Sequence, residues 1–112
     1  MQMPKNESYF ELVYEVTRKI PKGRVTNYGA IADFLSLGSA RMVGWALNQC
    51  HGIKDIPAHR VVNRKGELSG RLHFKPPSSM AARLRKEGIK VKNDAVVDFD
   101  KLFWHPRELD ME

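Results

Sequence analysis

The sequence predicts a small α/β domain that is mainly helical, with a helix-turn-helix and a minimal β element. Three observations lead there. Apolar residues recur at helical spacing in several short windows, and two of those windows are joined by a tight Leu37-Gly38-Ser39 turn. The β-prone stretches, Val61-Val62 and Ile89-Lys90-Val91, are brief. At 112 residues, the chain is the size of one domain, since domains run to roughly 100–150 residues. A single unit over residues 1–112 is therefore expected, ordered over about 8–104 and frayed at its ends.

Ser8 and Glu11 have capping-box spacing, and Phe10, Val13, Tyr14 and Thr17 recur at helical spacing with Leu12 and Val16 beside them. A first helix is expected from Tyr9 to Lys19, stopped by Ile20-Pro21-Lys22-Gly23. A short extended piece, Arg24-Val25-Thr26, leads to Asn27-Tyr28-Gly29. Thr26 or Asn27 is placed to cap a second helix, Gly29 to Leu37, with Ile31, Phe34 and Leu35 on one face. Gly38 breaks it, and Ser39 is placed to cap a third helix, Ala40 to Gln49. There Met42, Val43, Ala46 and Leu47 face inward, while Arg41, Trp45 and Asn48 lie around other faces. Trp45 and Trp104 are both assigned to packing.

Val61-Val62, flanked by turn residues, predicts a short strand, and Asn63-Arg64-Lys65-Gly66 a turn. A loop with Ser69-Gly70 and Pro76-Pro77 follows. Ser78 or Ser79 then opens a helix through Met80, Ala81, Leu84 and Glu87, ended by Gly88. Ile89-Lys90-Val91 alternates like a strand, Asp94 to Phe103 forms a further strand or turn, and Trp104-His105-Pro106 closes the ordered part.

Composition narrows the function classes. Hydrophobic residues at 42% and charged residues at 29% supply a thin core and argue against intrinsic disorder. Nineteen Lys and Arg against thirteen Asp and Glu leave a formal charge of +6, which favours a polyanion as partner or simply gives solubility. The single cysteine, Cys50, excludes an intrachain disulfide, and no Cys/His spacing suits a structural zinc, so neither metal nor cofactor is expected. No apolar run approaches the ~18 residues of a membrane span, and Met1-Gln2-Met3-Pro4-Lys5-Asn6 lacks the apolar stretch of a secretory signal. A cytoplasmic location without a membrane partner is expected.

Three separated strings share their order and spacing with one family. Pro21-Lys22-Gly23-Arg24-Val25-Thr26-Asn27-Tyr28-Gly29, then Ala40-Arg41-Met42-Val43-Gly44-Trp45-Ala46-Leu47, then Ile56-Pro57-Ala58-His59-Arg60-Val61-Val62 resemble the DNA-binding domain of O6-alkylguanine-DNA alkyltransferases. The likeness continues through Ser69-Gly70 and Lys86-Glu87-Gly88, and it implies that domain's winged-helix-like fold. The family's methyltransferases carry Pro-Cys-His-Arg, whose thiolate takes the alkyl group from guanine O6; here the acceptor position is Ala58. An alanine methyl is no nucleophile, and this replacement marks the alkyltransferase-like proteins, which lack the acceptor.

The resemblance assigns the remaining roles. His59 and Glu87 match the family's proton relay and, with no thiol to serve, keep a structural role as mutual hydrogen-bond partners in the pocket wall. Arg41 matches the arginine that enters the base stack in place of the extruded nucleotide, a task that suits a planar, permanently charged group. Tyr28 matches the tyrosine that rotates a phosphate during flipping, and Ala40 and Gly44 are small enough for close approach to a groove. Arg60 belongs with the DNA contacts. Ala58, Leu68, Ser69 and Gly70 form the lesion pocket, Leu68 standing where the family commonly has Tyr and offering apolar packing to an alkylated base. Arg64, Lys65, Arg71, Lys75, Arg83, Arg85 and Lys86, with His73 and Phe74 interleaved, are candidates for neutralising phosphates, although most charge runs are solvated faces. Cys50 beside His51 sits at a helix end without the features of a low-pKa thiol, and is taken as a buried small residue.

The expected function is recognition of O6-alkylguanine in duplex DNA by a minor-groove helix-turn-helix and base flipping, without alkyl transfer. The bound lesion would be flagged for nucleotide excision repair proteins. The alternatives are an active short methyltransferase whose acceptor was replaced by Ala58 through engineering, a sequence-specific helix-turn-helix regulator, and a protein-interaction module whose charge serves solubility alone.

Overall fold

The structure, a computed structural model, describes residues 5–111, with side chains described over 9–109. Helix α1 spans Lys5–Arg18, β1 Thr26–Asn27, α2 Tyr28–Phe34, α3 Ala40–Asn48, β2 Val61–Val62, α4 Ser79–Lys86, β3 Val91–Lys92, β4 Ala95–Val96 and α5 Phe99–Leu102. Single 3-10 turns occupy Ala58–Arg60 and Arg71–His73, and a longer one closes the chain at Pro106–Met111.

Helix α3 is the hub, with α1 and α2 packed against it. Its Val43, Ala46 and Leu47 are buried, the inward stripe that their spacing predicts. Two tyrosines of α1 fix its position: Tyr9 donates to the Met42 carbonyl at 2.8 Å and Tyr14 to the Ala46 carbonyl at 2.7 Å. Both rings thus fill the core while their hydroxyls find partners. Val13, Ile20, Val25, Ile31, Val61, Val62, Leu68, Met80 and Leu84 complete the centre.

The β elements are short, as predicted. β1 and β2 pair in parallel, Thr26 opposite Val61 and Asn27 opposite Val62, while β3 and β4 form an antiparallel pair, Val91 opposite Val96. The tail is tied to the same centre, since Val25 and Trp104 exchange backbone bonds with Leu102 and Val25. Trp104 is buried, in keeping with its assignment to packing.

Several boundaries differ from expectation. Helix α1 begins at Lys5, so Ser8 lies within it instead of capping it; nothing between Lys5 and Ser8 breaks a helix, and a local cap signal yields to continuation. Helix α2 starts at Tyr28 because Asn27 caps it, its Oδ1 accepting from the Ala30 N–H at 2.7 Å. It stops at Phe34, short of Leu37, and the left-handed residue of the turn is Ser36 at φ +57°, not Gly38. Asp94 to Phe103 holds both alternatives in sequence, β4 and then the single turn of α5.

Candidate nucleic-acid interface

The Ala58–Arg60 turn runs directly into β2, and β1 runs directly into α2. The pairing of these two strands therefore sets His59 and Tyr28 in a fixed relation, and α3 follows from α2 through the tight turn. Two residues per strand are enough to join the two parts of the site.

Glu87 is the centre of a buried polar cluster. It ends α4, and Gly88 beyond it takes φ +88°, a left-handed conformation that glycine adopts at no steric cost. The carboxylate accepts from Arg60 Nε at 3.0 and 3.1 Å, from Arg60 Nη2 at 2.8 Å, from His59 Nε2 at 2.7 Å and from the Gly23 N–H at 2.9 Å. Arg60 Nη1 donates onward to the Ile20 carbonyl at 2.8 Å. Burial alone would raise the Glu87 carboxyl, but the donors of Arg60, His59 and Gly23 outweigh it and hold the group at about 2. His59 moves below its ordinary value: burial disfavours the imidazolium by more than the neighbouring carboxylate favours it. Facing an ionised carboxylate, Nε2 keeps the ring proton, which leaves Nδ1 with a lone pair, buried and without a hydrogen-bond partner among the described residues.

This cluster corrects one assignment. Arg60 is not presented at the surface: its side chain is only 16% exposed and its guanidinium is committed to Glu87 and Ile20. Arg71 and Arg85 also bond the protein, Arg71 reaching the Leu68 carbonyl and Asp94 and Arg85 the Val91 carbonyl, but both keep solvent exposure.

Ala58 lines a cavity of about 310 Å³ together with Cys50, His51, Ile56, Phe74 and Arg83. The Arg83 guanidinium stands 5.5 Å above the buried Phe74 ring and the His51 ring meets that ring edge-on at 4.7 Å, so Phe74 backs the wall and Arg83 brings charge to it, with Lys54 and Asp55 also on the lining. Leu68 is absent from that wall, a second correction. It is fully buried in the core, because its backbone N–H bonds Asp94 and turns the side chain inward. Ser69 and Gly70 instead meet Tyr28. A Cβ on Gly70 would stand 2.8 Å from the Tyr28 hydroxyl, so only glycine lets the phenol lie across this loop. Burial raises the Tyr28 hydroxyl above its ordinary value, offset in part by the Ser69 side chain. Phe74 and the loop from His51 to Ile56 escape sequence reasoning as pocket residues, since neither has a spacing that announces a wall.

Cys50 is 1% exposed, and burial pushes its thiol up to about 11. It is no substitute for an acceptor at position 58 at neutral pH.

On the outer side, Arg41 is exposed at the start of α3 and borders an open groove of about 450 Å³ with Tyr28, Ala40, Gly44, Trp45 and Asn48. An adjoining depression joins Tyr28, Gly29 and Ala40 to Arg64 and Lys65 of the Asn63–Gly66 turn. That turn is tied by Asn63, whose Oδ1 accepts from the Lys65 and Glu67 N–H groups. Tyr28, Ala40, Arg41 and Gly44 thus share one surface. Trp45 belongs to it too, contrary to its assignment to packing, since 53% of it is exposed.

A helix-turn-helix that presents an exposed arginine, set against a buried His-Glu-Arg cluster with Ala58 directly before it, fits a DNA-binding domain of the alkyltransferase type. The chain matches the family model of the 6-O-methylguanine DNA methyltransferase DNA-binding domain over residues 8–89, and it belongs to that family. Alkyltransferase-like protein 1 of Schizosaccharomyces pombe is 30% identical over 105 residues, covering 89% of this chain and 97% of that protein. The DNA base-flipping protein of Escherichia coli K12 is 33% identical over 107 residues, covering 93% and 80%. The crystal structure of S. pombe Atl1 with damaged DNA containing O6-carboxymethylguanine superposes with a TM-score of 0.77 at 30% identity, over 95% of this chain and all of that one. Among the described residues, no helix is long and apolar enough to cross a membrane.

Proposed function

We propose that this protein binds duplex DNA at O6-alkylguanine, extrudes the modified base toward the cavity beside Ala58, and leaves the alkyl group where it is. One observation carries the reading: Ala58 forms the wall of a cavity directly before a His59–Glu87 pair, the arrangement of an alkyl acceptor site without its nucleophile. The family also contains methyltransferases, and the lack of a thiol at position 58 together with the burial of Cys50 supports binding over transfer.

In this reading α3 enters the minor groove, which requires a widened and bent duplex. Arg41 takes the place of the extruded base, and Tyr28, held against Ser69 and Gly70, meets the neighbouring phosphate. Arg64 and Lys65 take the phosphate-neutralising role that Arg60 gives up to Glu87. Arg83, seated over the buried Phe74 ring, places positive charge beside the flipped base. A bent, occupied lesion in the cytoplasm or nucleoid is a signal that nucleotide excision repair proteins could read.

The deciding experiment is equilibrium binding to one oligonucleotide carrying guanine or O6-methylguanine at the same position. Tighter binding to the modified duplex is expected. Equal binding to both, with preference for some unmodified sequence, would favour a helix-turn-helix regulator, and no binding near physiological salt would favour a protein-interaction module.

A further inference from the structure

Tryptophan is large and on average well buried, so a Trp with more than half its surface in solvent is informative when it does not stand alone. Trp45 is 53% exposed, on the face of α3 that also carries Arg41, Gly44 and Asn48 at helical spacing, opposite the buried Val43, Ala46 and Leu47. It stands one helical turn, ~6 Å, along α3 from Arg41.

Its indole is a ridge between two open depressions. One is the groove it shares with Tyr28, Ala40, Arg41 and Gly44; the other, of about 390 Å³, lies toward α1 between Tyr9, Phe10, Asn48 and Gln49. Neither depression is lined by an acidic side chain among the described residues. On the Tyr28 side the next depression adds Arg64 and Lys65, together with Glu67, whose carboxylate accepts from Asn63 Nδ2 at 2.8 Å. A Cβ built on Gly44 would meet nothing within 4 Å, so the surface between Arg41 and Trp45 is open to a wide object. An apolar ridge one turn from an exposed guanidinium, with an open channel on each side and Arg64 and Lys65 beyond the Tyr28 side, complements a nucleic-acid groove. The ridge matches base edges and deoxyribose.

From this geometry we propose that Trp45 is a DNA-contacting residue, packing its indole against deoxyribose and base edges in the groove that receives α3. The inference deepens the DNA-binding reading and rests on it. The contact neutralises no phosphate and touches no reacting atom; it adds sequence-tolerant apolar contact beside the position where Arg41 enters.

The chain has two tryptophans, and Trp104 is 3% exposed, so acrylamide quenching of the native protein reports chiefly on Trp45. Addition of a duplex should shield Trp45 from acrylamide, and the Trp45→Phe variant, which keeps only Trp104, should show little change. Trp45→Ala should weaken binding to modified and unmodified duplexes alike by about five- to a hundredfold, the scale of aromatic–nucleotide contacts. Trp45→Phe should restore part of that loss, and the slope of affinity against salt should stay as in the parent protein. Anisotropy of a labelled duplex is followed in the same titration. If the duplex binds while Trp45 stays equally open to acrylamide, the inference fails and DNA binding stands; if anisotropy shows no binding at all, the DNA reading itself fails and this inference with it. Unchanged Trp104 emission in Trp45→Ala verifies that the variant is folded.

Discussion

Arg60 and Glu87, 27 positions apart, form a forked ion pair in which Nε and Nη2 both address one carboxylate, at 2.8 to 3.1 Å. With His59 and the Gly23 N–H on the same carboxylate, the pair joins the turn after α1, the Ala58–Arg60 turn and the end of α4.

Loss of the Glu87 charge should therefore be felt as instability. Glu87→Gln leaves the Arg60 guanidinium, mostly buried, without its counter-charge and presents an amide N–H toward other donors. Removing one member of such a pair costs about 3 kcal/mol or more, which for a domain of this size lowers the melting temperature by roughly 10 °C or more. Thermal unfolding at neutral pH measures it. A loss below about 1 kcal/mol would mean that the pair behaves as an exposed one.

The same cluster sets the response to acid. Glu87 is held at about 2 against an ordinary 4.5, so the unfolded chain binds its proton more readily and the carboxylate contributes stability above pH 4.5. That contribution is lost as pH falls from 4.5 toward 2. His59 lies below its ordinary 6.5, so the folded state also favours its neutral form, and stability begins to fall as pH drops below 6.5. Melting temperature should thus decline from about pH 7 downward in two stages. Glu87→Gln should remove the lower stage, and an unchanged lower stage in that variant would assign it to another carboxyl.

Cys50 should remain inert. With its thiol at about 11 and its side chain 1% exposed at the edge of the Ala58 cavity, the thiolate fraction at about pH 7.5 is negligible and little of the sulfur is presented to an alkylating group. After incubation with DNA carrying a labelled O6-methyl group, the label should stay on the DNA. Intact-mass measurement showing a methyl on Cys50 would refute this.

The helices are legible in sequence where local chemistry decides them. Asn27 caps α2, the 43/46/47 stripe buries α3, and Gly88 ends the turn after α4, each through interactions within a few residues. The site is legible only in part. Arg60 looks free in sequence because its partner lies in another element, and nothing in a basic run distinguishes a guanidinium pointing inward from one pointing outward. Leu68 stands beside Ser69 and Gly70 in sequence, yet the chain turns at Ser69–Gly70, so Leu68 falls into the core while the turn meets Tyr28. Trp45 sits at a helical position whose face no other element covers, and periodicity does not reveal which face lacks a neighbour.

Arg41 is exposed, so its removal should leave folding unchanged and act on binding alone. Under the proposed function Arg41→Ala deletes the group that fills the place of the extruded base, and affinity for the O6-methylguanine duplex should fall by roughly 1–3 kcal/mol, the cost scale of unstacking a base. Unmodified duplex should lose less. Equal losses on both duplexes, with a salt slope reduced by about one phosphate, would make Arg41 a backbone contact.

Ala58→Cys tests whether the wall at position 58 is still an acceptor site. The introduced thiol would precede His59, whose Nε2 is engaged by Glu87 and whose Nδ1 retains a lone pair able to take a proton. A base in that position lowers the thiol pKa, and the thiolate can displace the alkyl carbon: an S–C bond forms, the C–O6 bond breaks, and the electron pair stays with guanine, which is then protonated. Because His59 sits below its ordinary pKa, it is neutral and able to accept near neutral pH. The barrier lies in position, since sulfur must come within about 3.5 Å of the alkyl carbon and in line with the bond. A slow, single-turnover gain of the alkyl mass on the introduced thiol is expected, abolished by adding His59→Phe to the variant. A folded Ala58→Cys protein that binds the lesion with parent affinity, yet shows neither transfer nor a lowered thiol pKa, would mean that His59 and Glu87 serve only to hold the cavity wall.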